Sequence, residues 1–198
     1  MRTRCTFTPF QRGNLKGLRV KIKAAVLDEV GKEFRIAEVD LDKPKSGEIL
    51  VKVAASGLCA SDLNAIDGKR KLVPFPAVIG HEASGVVAEV GPDVVGISVG
   101  DHVVMSIVPN CGHCDWCKRG IPNYCATAGD AMGVGGLFDK TSRLSENGAK
   151  LNQFLCVASF AEYAVVPASG AVVIPKEMPL DRAALLSCAV LTGYGAVV

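Results

Sequence analysis

The segment CGHCDWCKRGIPNYC occupies residues 111–125 and contains four of the eight cysteines in the chain. Their spacing, C-x2-C-x2-C-x7-C, is typical of a metal site, because short spacers let the backbone fold around one ion. Four thiolates complete the tetrahedral coordination of zinc and leave no position for a substrate. The segment therefore predicts a structural zinc site around which the neighbouring chain folds, with the ligands Cys111, Cys114, Cys117 and Cys125.

An iron–sulfur cluster is the main alternative for these cysteines, since C-x2-C-x2-C also begins bacterial ferredoxin motifs. The seven-residue final gap and the lack of a Cys-Pro pair argue against it. His113 lies inside the segment, but thiolates already complete the site, so we expect its imidazole to face solvent. Cys5 and Cys156 have no partner at a metal-ligand spacing, and no role is predicted for either.

The composition indicates a globular protein. The chain has 198 residues, of which 49% are hydrophobic, and its 21 glycines favour a turn-rich β structure. No apolar run approaches the length of a membrane span, and no apolar segment follows the basic N-terminus, so we expect a cytoplasmic protein without a membrane partner. The cysteine spacing favours thiolates in a reducing compartment.

The net charge of +2 conceals a basic N-terminus, because residues 1–27 contain seven basic residues and no acidic one. We interpret residues 1–19 as a disordered basic extension, with a nucleic-acid arm or an organelle address as alternatives. Since the β pattern begins at Val20, a translation start near that residue is a further hypothesis. Basic residues are not clustered elsewhere, so no nucleic-acid partner is expected.

Alternating, β-branched segments from Val20 onward predict short strands joined by tight turns. Two further strands are predicted in FAEYAVVP at 160–167 and GAVVIP at 170–175. The earlier segments together suggest a small antiparallel barrel: VKIKAAVL at 20–27, FRIAEVD at 34–40, ILVKVAASG at 49–57, ASGVVAEVG at 83–91 and DHVVMSIV at 101–108.

Helical turns are predicted at 59–68 and in a final helix capped by Asp181. Residues 126–155 are polar and glycine-rich, which predicts a long loop. The GVGG of residues 133–136 lacks the third glycine of a dinucleotide-binding fingerprint, so we interpret it as part of that loop. The final helix carries a predicted apolar stripe of Ala183, Leu186, Ala189 and Val190.

A catalytic zinc needs two or three protein ligands and one open position, which side chains from different elements can supply. The chain offers Cys59 in a helical turn, the pair His81 and Glu82, and Cys188 on the final helix. Asp62 can orient the His81 ring through its second nitrogen. None of these residues is a strong signal alone, but together they form a candidate site.

Five segments occur in the order seen in one enzyme family: GLCASD at 57–62, GHEASGVVAEVG at 80–91, VGDHV at 99–103, the four-cysteine segment, and SCAVLTGYGAV at 187–197. In these segments the chain resembles the zinc-dependent medium-chain alcohol dehydrogenases. TSRL at 141–144 is most similar to the longer-looped members, which include bacterial alcohol dehydrogenases and glutathione-dependent formaldehyde dehydrogenases. The resemblance implies a mainly β fold with short helices, a GroES-like partly open β-barrel that carries a four-cysteine zinc lobe.

The resemblance also implies a zinc- and NAD-dependent enzyme with two zinc ions per chain, which forms a homo-oligomer at full length. It would oxidise a small-molecule primary alcohol or a hydroxymethyl adduct to an aldehyde-level product by hydride transfer to NAD. Carried over residue by residue, the resemblance implies that Cys59, His81 and Cys188 bind the catalytic zinc. Glu82 would be an outer or transient ligand, and Asp62 would hold the His81 ring. Ser61 would accept the substrate proton, and Ile107 would line the alcohol pocket.

Two positions depart from the family pattern. Asn64 stands where many relatives place a histidine that completes the proton relay, and Ala60 stands where an arginine or histidine often contacts the cofactor pyrophosphate. The larger departure is the lack of a G-x-G-x-x-G motif between a strand and a helix. We therefore expect residues 20–198 to be an incomplete catalytic domain, from a fragment or a truncated product, with NAD bound by a domain outside this chain.

Two other classes of protein stay open. One is an inactive truncated domain that keeps the fold and the zinc but catalyses no reaction. The other is a zinc-stabilised binding module with a basic N-terminal arm, which would explain the closed cysteine site and the basic pair Lys118 and Arg119. The binding module does not explain why His81, Glu82 and Cys188 occur in the order of the dehydrogenases.

Overall fold

The computed structural model describes residues 19–198, which form ten strands and several short helices. The extension predicted for residues 1–19 lies outside the described residues, as does Cys5, except that Arg19 begins the first strand. The strands are β1 (Arg19–Leu27), β2 (Arg35–Asp42), β3 (Glu48–Gly57), β4 (Ala77–Val78), β5 (Glu82–Val90), β6 (His102–Met105), β7 (Leu144–Glu146), β8 (Ala149–Gln153), β9 (Tyr163–Pro167) and β10 (Ala171–Ile174).

Five strands close into a barrel in the order β1-β2-β7-β8-β4. Burial alternates along β1, where Ile22, Ala24 and Val26 are buried and Lys21 and Lys23 are exposed. This alternation follows from the pleat, which turns successive side chains to opposite faces. Strands β4 and β8 run parallel, so the barrel differs in this pair from the antiparallel barrel that was predicted.

The other five strands form a sheet in the order β10-β6-β5-β3-β9. The core beneath it includes Ile49, Val51, Val87 and Met105, each at most 1% exposed. The strands predicted to make one barrel are thus divided between two layers, because β3 pairs with β5 and β9 rather than with β2. The mainly β architecture with short helices is confirmed.

The helices of the described residues are short, and none of them is long and apolar enough to cross a bilayer. Single 3₁₀ turns occur at Pro122–Tyr124, Phe154–Cys156, Ala168–Gly170 and Ala184–Ser187. The α-helices are α1 (Ala60–Ile66), α2 (Asp115–Lys118), α3 (Ala126–Gly133), α4 (Leu180–Ala183) and α5 (Ala189–Gly195).

Residues 126–155 are not the long loop that was predicted, since they contain α3, β7, β8 and a 3₁₀ turn. Strands β7 and β8 are three and five residues long and pair with the distant strands β2 and β4. Such short segments carry little periodicity, and their conformation depends on partners that are remote in sequence. The GVGG of residues 133–136 begins at the last residue of α3 and continues as a turn, so it opens no helix, as predicted.

The predicted final helix is interrupted at Cys188, which has a φ of −142° between a 3₁₀ turn and α5. Pro179, not Asp181, is the cap residue of α4, and the Asp181 carboxylate accepts the next backbone N–H at 2.9 Å. Leu186 and Val190 are 38% and 48% exposed, so the predicted apolar stripe is wrong. The interruption lets Cys188 turn toward β5 instead of following a helix face.

A buried ion pair connects the sheet to the barrel. Arg143 is 1% exposed and donates through Nε to Glu48 at 2.9 Å and through Nη2 to Asp139 at 3.0 Å. Burial alone would lower the pKa of the guanidinium, but the two carboxylates raise it, so Arg143 stays charged. Because Glu48 begins β3 and Arg143 precedes β7, the pair joins one strand of each layer.

Candidate metal centres

The four-cysteine lobe (residues 111–125) brings its Sγ atoms within 4.8 Å of one another. The Sγ atom of Cys114 lies 3.5 Å from that of Cys117 and 3.9 Å from that of Cys125. Two sulfur ligands of one tetrahedral zinc lie about 3.8 Å apart, for Zn–S bonds of about 2.3 Å. An iron–sulfur cluster would instead distribute its thiolates over several irons. The spacing of the lobe cysteines therefore fits a single ion.

Hydrogen bonds inside the lobe favour the thiolate form of Cys111 but not that of Cys117. The Cys114 N–H donates to Cys111 Sγ at 3.3 Å. The Thr127 side chain, assisted by backbone N–H groups, lowers the pKa of the Cys111 thiol to about 5 despite its burial. Burial and the neighbouring Cys114 raise the pKa of Cys117 to about 11. Thr127 lies outside the cysteine spacing, so no sequence pattern indicates its contact with Cys111.

His113 faces solvent, as predicted, and Cys156 is buried outside the lobe. His113 is exposed, and its Nδ1 lies 2.8 Å from the Cys111 carbonyl oxygen. The buried Cys156 thiol donates to the Gly136 carbonyl at 3.4 Å. Burial raises the pKa of the Cys156 thiol to about 12, so it stays protonated and is a poor metal ligand.

A second cluster unites three residues that are far apart in sequence, Cys59, His81 and Cys188. Their ligand atoms lie within 4.8 Å of one another, and the two Sγ atoms are 3.8 Å apart. His81 is fully buried, and its Nε2 has no hydrogen-bond partner among residues 19–198. A buried polar atom without a partner is destabilising, and a metal ion would satisfy it. The donor set and its geometry fit a zinc ion with one open position.

Each residue of this second cluster lies at the end of a structural element. Cys59 is the N-cap of α1, His81 immediately precedes β5, and Cys188 immediately precedes α5. Gly80 has a φ of +89°, and a side chain there would overlap the Phe160 ring. Glycine is the residue that adopts this conformation without strain, so Gly80 lets the chain bring His81 to the cluster.

Asp62 is fully buried, and its carboxylate connects two of the three candidate ligands. Its Oδ1 lies 3.2 Å from His81 Nδ1 and accepts the Gly80 N–H, and its Oδ2 accepts the Cys59 N–H at 2.9 Å. When Nδ1–H donates to Asp62, Nε2 keeps a lone pair that faces the two thiols. Asp62 is therefore placed where it can orient the ring, and that role stays a prediction.

The pKa values within the second cluster shift in both directions. Burial alone would raise the pKa of Cys59, but a hydrogen bond from the Ser61 backbone and the neighbouring Cys188 and His81 side chains lower it. Burial alone would lower the pKa of His81, whereas Asp62 and Cys59 raise it. Burial and the neighbouring Cys59 raise the pKa of Cys188 to about 11. Metal binding must displace the protons held here, so the affinity for metal falls at low pH.

The remaining predicted site residues lie on α1, at the start of β5 and in the loop that follows β6. Ser61 is half-buried in the first turn of α1, and Glu82 is 3% exposed as the first residue of β5. Ile107 is half-buried in the loop that follows β6. Asn64 is half-buried on α1, and Ala60 is exposed at its start. The roles of Ser61 and Ile107 stay predictions.

The comparison with protein families agrees with this fold and these clusters. Residues 45–176 match the alcohol dehydrogenase GroES-like domain, so the chain belongs to this family, as the resemblance predicted. It is 43% identical over 176 residues to an NDMA-dependent alcohol dehydrogenase of Amycolatopsis methanolica, across 88% of this chain and 47% of the relative. It is 39% identical over 178 residues to an S-(hydroxymethyl)glutathione dehydrogenase of Synechocystis sp., across 90% of this chain and 48% of the relative.

Solved structures show the same fold. The alcohol dehydrogenase zinc-binding domain protein of Burkholderia ambifaria has a TM-score of 0.83 and 38% identity, over 90% of this chain and 48% of its own. The benzyl alcohol dehydrogenase of Acinetobacter calcoaceticus has a TM-score of 0.80 and 36% identity, over 89% of this chain and 47% of its own. The chain thus spans about half the length of these relatives.

Proposed function

We propose that this chain is the catalytic domain of a zinc- and NAD-dependent alcohol dehydrogenase. The observation that carries the proposal is the convergence of Cys59, His81 and Cys188, with His81 Nε2 buried and unpartnered among the described residues. Two thiolates and one imidazole with an open position are the known catalytic zinc ligands of alcohol dehydrogenases. The similarity to an NDMA-dependent alcohol dehydrogenase and to a benzyl alcohol dehydrogenase supports an alcohol as the substrate.

Joined to a nucleotide-binding domain, the chain would oxidise a primary alcohol or a hydroxymethyl adduct to an aldehyde-level product, with hydride transfer to NAD. When bound, Zn²⁺ supplies a Lewis acid, which makes the substrate hydroxyl easier to deprotonate. Cys59, His81 and Cys188 would hold that ion. Asp62 would keep the His81 proton on Nδ1, which would leave Nε2 free to coordinate.

Ser61 would accept the proton of the substrate hydroxyl, since a serine hydroxyl both accepts and donates. It lies in the first turn of α1, close in the chain to the ligand Cys59. Asn64 lies on the same helix, but its amide does not titrate, so the proton would pass from Ser61 to solvent. Ile107 would line the alcohol pocket.

The cofactors and partners follow from the same proposal. The chain would bind two zinc ions, one in the four-cysteine lobe and one at the second cluster, and NAD would be bound by a domain outside this chain. The whole enzyme would be a cytoplasmic homo-oligomer that acts on small molecules and has no nucleic-acid or membrane partner.

A chimera tests the proposed reaction. In it, this chain replaces the matched 48% of the Synechocystis relative. We expect the chimera to reduce NAD⁺ in the presence of a primary alcohol or S-(hydroxymethyl)glutathione, followed by the absorbance of NADH. A chimera that is folded and zinc-loaded but oxidises neither substrate would instead support an inactive zinc-binding domain.

Substituting Cys114 by serine should remove the lobe zinc and destabilise the chain without directly affecting the second cluster. An ion bound at 100 times its Kd stabilises a protein by about 2.7 kcal/mol, and the variant should lose a contribution of this order. Zinc analysis and urea denaturation measure the two effects. His113→Ala is the matched control, because His113 is exposed in the same lobe and is not a proposed ligand. Equal zinc content in Cys114→Ser and the wild type would contradict the assignment.

A further inference from the structure

Glu82 is buried beside the second cluster and contacts the backbone next to one of its ligands. Glu82 is 3% exposed, and its Oε1 accepts the Ala189 N–H at 2.8 Å. Ala189 follows Cys188 and is the first residue of α5, where the N–H has no acceptor within its own helix. Glu82 thus provides the acceptor for the backbone group adjacent to Cys188.

Strand β5 also holds the other end of the same segment. Ser84 is fully buried, and its hydroxyl donates to the carbonyl of Leu180, the first residue of α4. The two contacts bracket the stretch between α4 and α5, which includes Cys188. His81 immediately precedes β5. The start of β5 therefore both positions the ligand His81 and holds the segment that carries the ligand Cys188.

Local structure by itself constrains Cys188 weakly. Cys188 lies between a 3₁₀ turn and a seven-residue helix, and a helix that short is marginal in isolation. The first residues of α5, including Ala189 and Val190, are exposed. The hydrogen bond from Ala189 to the buried Glu82 is therefore a contact that can determine where the Cys188 thiol points.

Gly57 leaves the space that the Glu82 carboxylate occupies. Gly57 pairs with Glu82 in the β3–β5 register, and a Cβ at residue 57 would lie 2.6 Å from Glu82 Oε2. The backbone of Gly57 does not have the positive φ that favours glycine. A side chain at this position would therefore act by displacing the carboxylate rather than by straining the backbone.

We propose that Glu82 is a positioning residue, which holds Cys188 in place for metal binding by accepting the Ala189 N–H. This inference rests on the zinc site proposed above. The carboxylate acts as a hydrogen-bond acceptor, so its negative charge and direct coordination of the ion are not required. A transient ligand, by contrast, would need the carboxylate itself.

The test compares Glu82→Gln, which keeps an oxygen acceptor, with Glu82→Ala, which does not. Each zinc-loaded chain is mixed with excess chromogenic chelator, and the rate of zinc release is followed. Cys114→Ser lacks the release phase of the lobe ion and Cys59→Ser lacks that of the second-cluster ion, so the two variants identify the phases. We expect Glu82→Ala to release the second-cluster ion about 10- to 100-fold faster than the wild type, while Glu82→Gln stays close to the wild-type rate. The lobe phase should not change. Equal acceleration in Gln and Ala, or none in Ala, would overturn the proposal.

Hydrogen exchange of the Ala189 amide tests the contact without any metal. In the zinc-free chain, the amide should be protected in the wild type and in Glu82→Gln, and should exchange about tenfold faster in Glu82→Ala. Unchanged exchange in Glu82→Ala would contradict the inference. If Glu82→Ala showed faster exchange but the wild-type chain bound no zinc at the second cluster, the hydrogen bond from Ala189 to Glu82 would be established. The proposed function would then be contradicted.

Gly57→Ala provides an independent variant, which keeps the proposal testable if Glu82→Ala does not fold. Its methyl group should displace the carboxylate and accelerate zinc release from the second cluster, and an unchanged release rate would contradict the proposal. In the Glu82→Ala background the space is empty, so the same methyl should have no further effect. This lack of additivity is the signature of direct coupling in a double-mutant cycle. Additive effects would show that Gly57 and Glu82 act separately and would overturn the mechanism.

Discussion

Substituting Cys59 by serine in the chimera is expected to lower turnover by about a thousandfold or more. A serine hydroxyl stays protonated near neutral pH and replaces a thiolate poorly as a zinc ligand. A factor of a thousand corresponds to about 4 kcal/mol of transition-state stabilisation, which is in the range that a Lewis-acid metal supplies. Zinc content should fall from about two ions to about one per chain, since residues 19–198 contain two candidate clusters.

The fold should survive the Cys59→Ser substitution. Cys59 is the N-cap of α1, and serine is among the preferred residues at that position. Circular dichroism measures retention of the fold, and NADH formation measures the loss of turnover. Cys156→Ser is the matched control, because it makes the same change at a buried cysteine outside both clusters. A Cys59→Ser chimera that retains turnover and both zinc ions would contradict the assignment of this ligand.

Replacing Arg143 by methionine should destabilise the chain by about 3–5 kcal/mol, because it leaves a buried carboxylate without its partner. Glu48 is 6% exposed and accepts two hydrogen bonds from the guanidinium. Urea denaturation followed by circular dichroism measures the loss. Adding Glu48→Gln should recover part of it, since the buried group is then neutral.

Arg35→Met is the matched control for Arg143→Met. Arg35 also pairs with two carboxylates, those of Asp28 and Glu146, but its side chain is 40% exposed. Exposed ion pairs contribute up to about 1 kcal/mol, so this variant should stay near the wild type. If both arginine variants lost equal stability, burial of the Arg143 pair would not be the cause.

The sequence predicted a cluster more directly when its residues lie close together in the chain. The lobe cysteines lie in one short segment, so their spacing alone indicated a shared ion. Cys59 and Cys188 are 129 residues apart, and their grouping came from the resemblance to a family rather than from any local pattern. Arg143 and Glu48 are 95 residues apart, and their pairing was not predicted at all.

The sequence by itself determined the strands with clear alternation, the short helix after Cys59, the four-cysteine lobe and the family. These features depend on neighbouring residues, whose periodicity and spacing can be read along the chain. Only the tertiary structure decided which strands close the barrel, where the last helix is interrupted, and that Glu82 accepts the Ala189 N–H. The physical reason is that these features are stabilised by contacts between distant segments, which compete with local propensity and leave no periodic trace in the sequence.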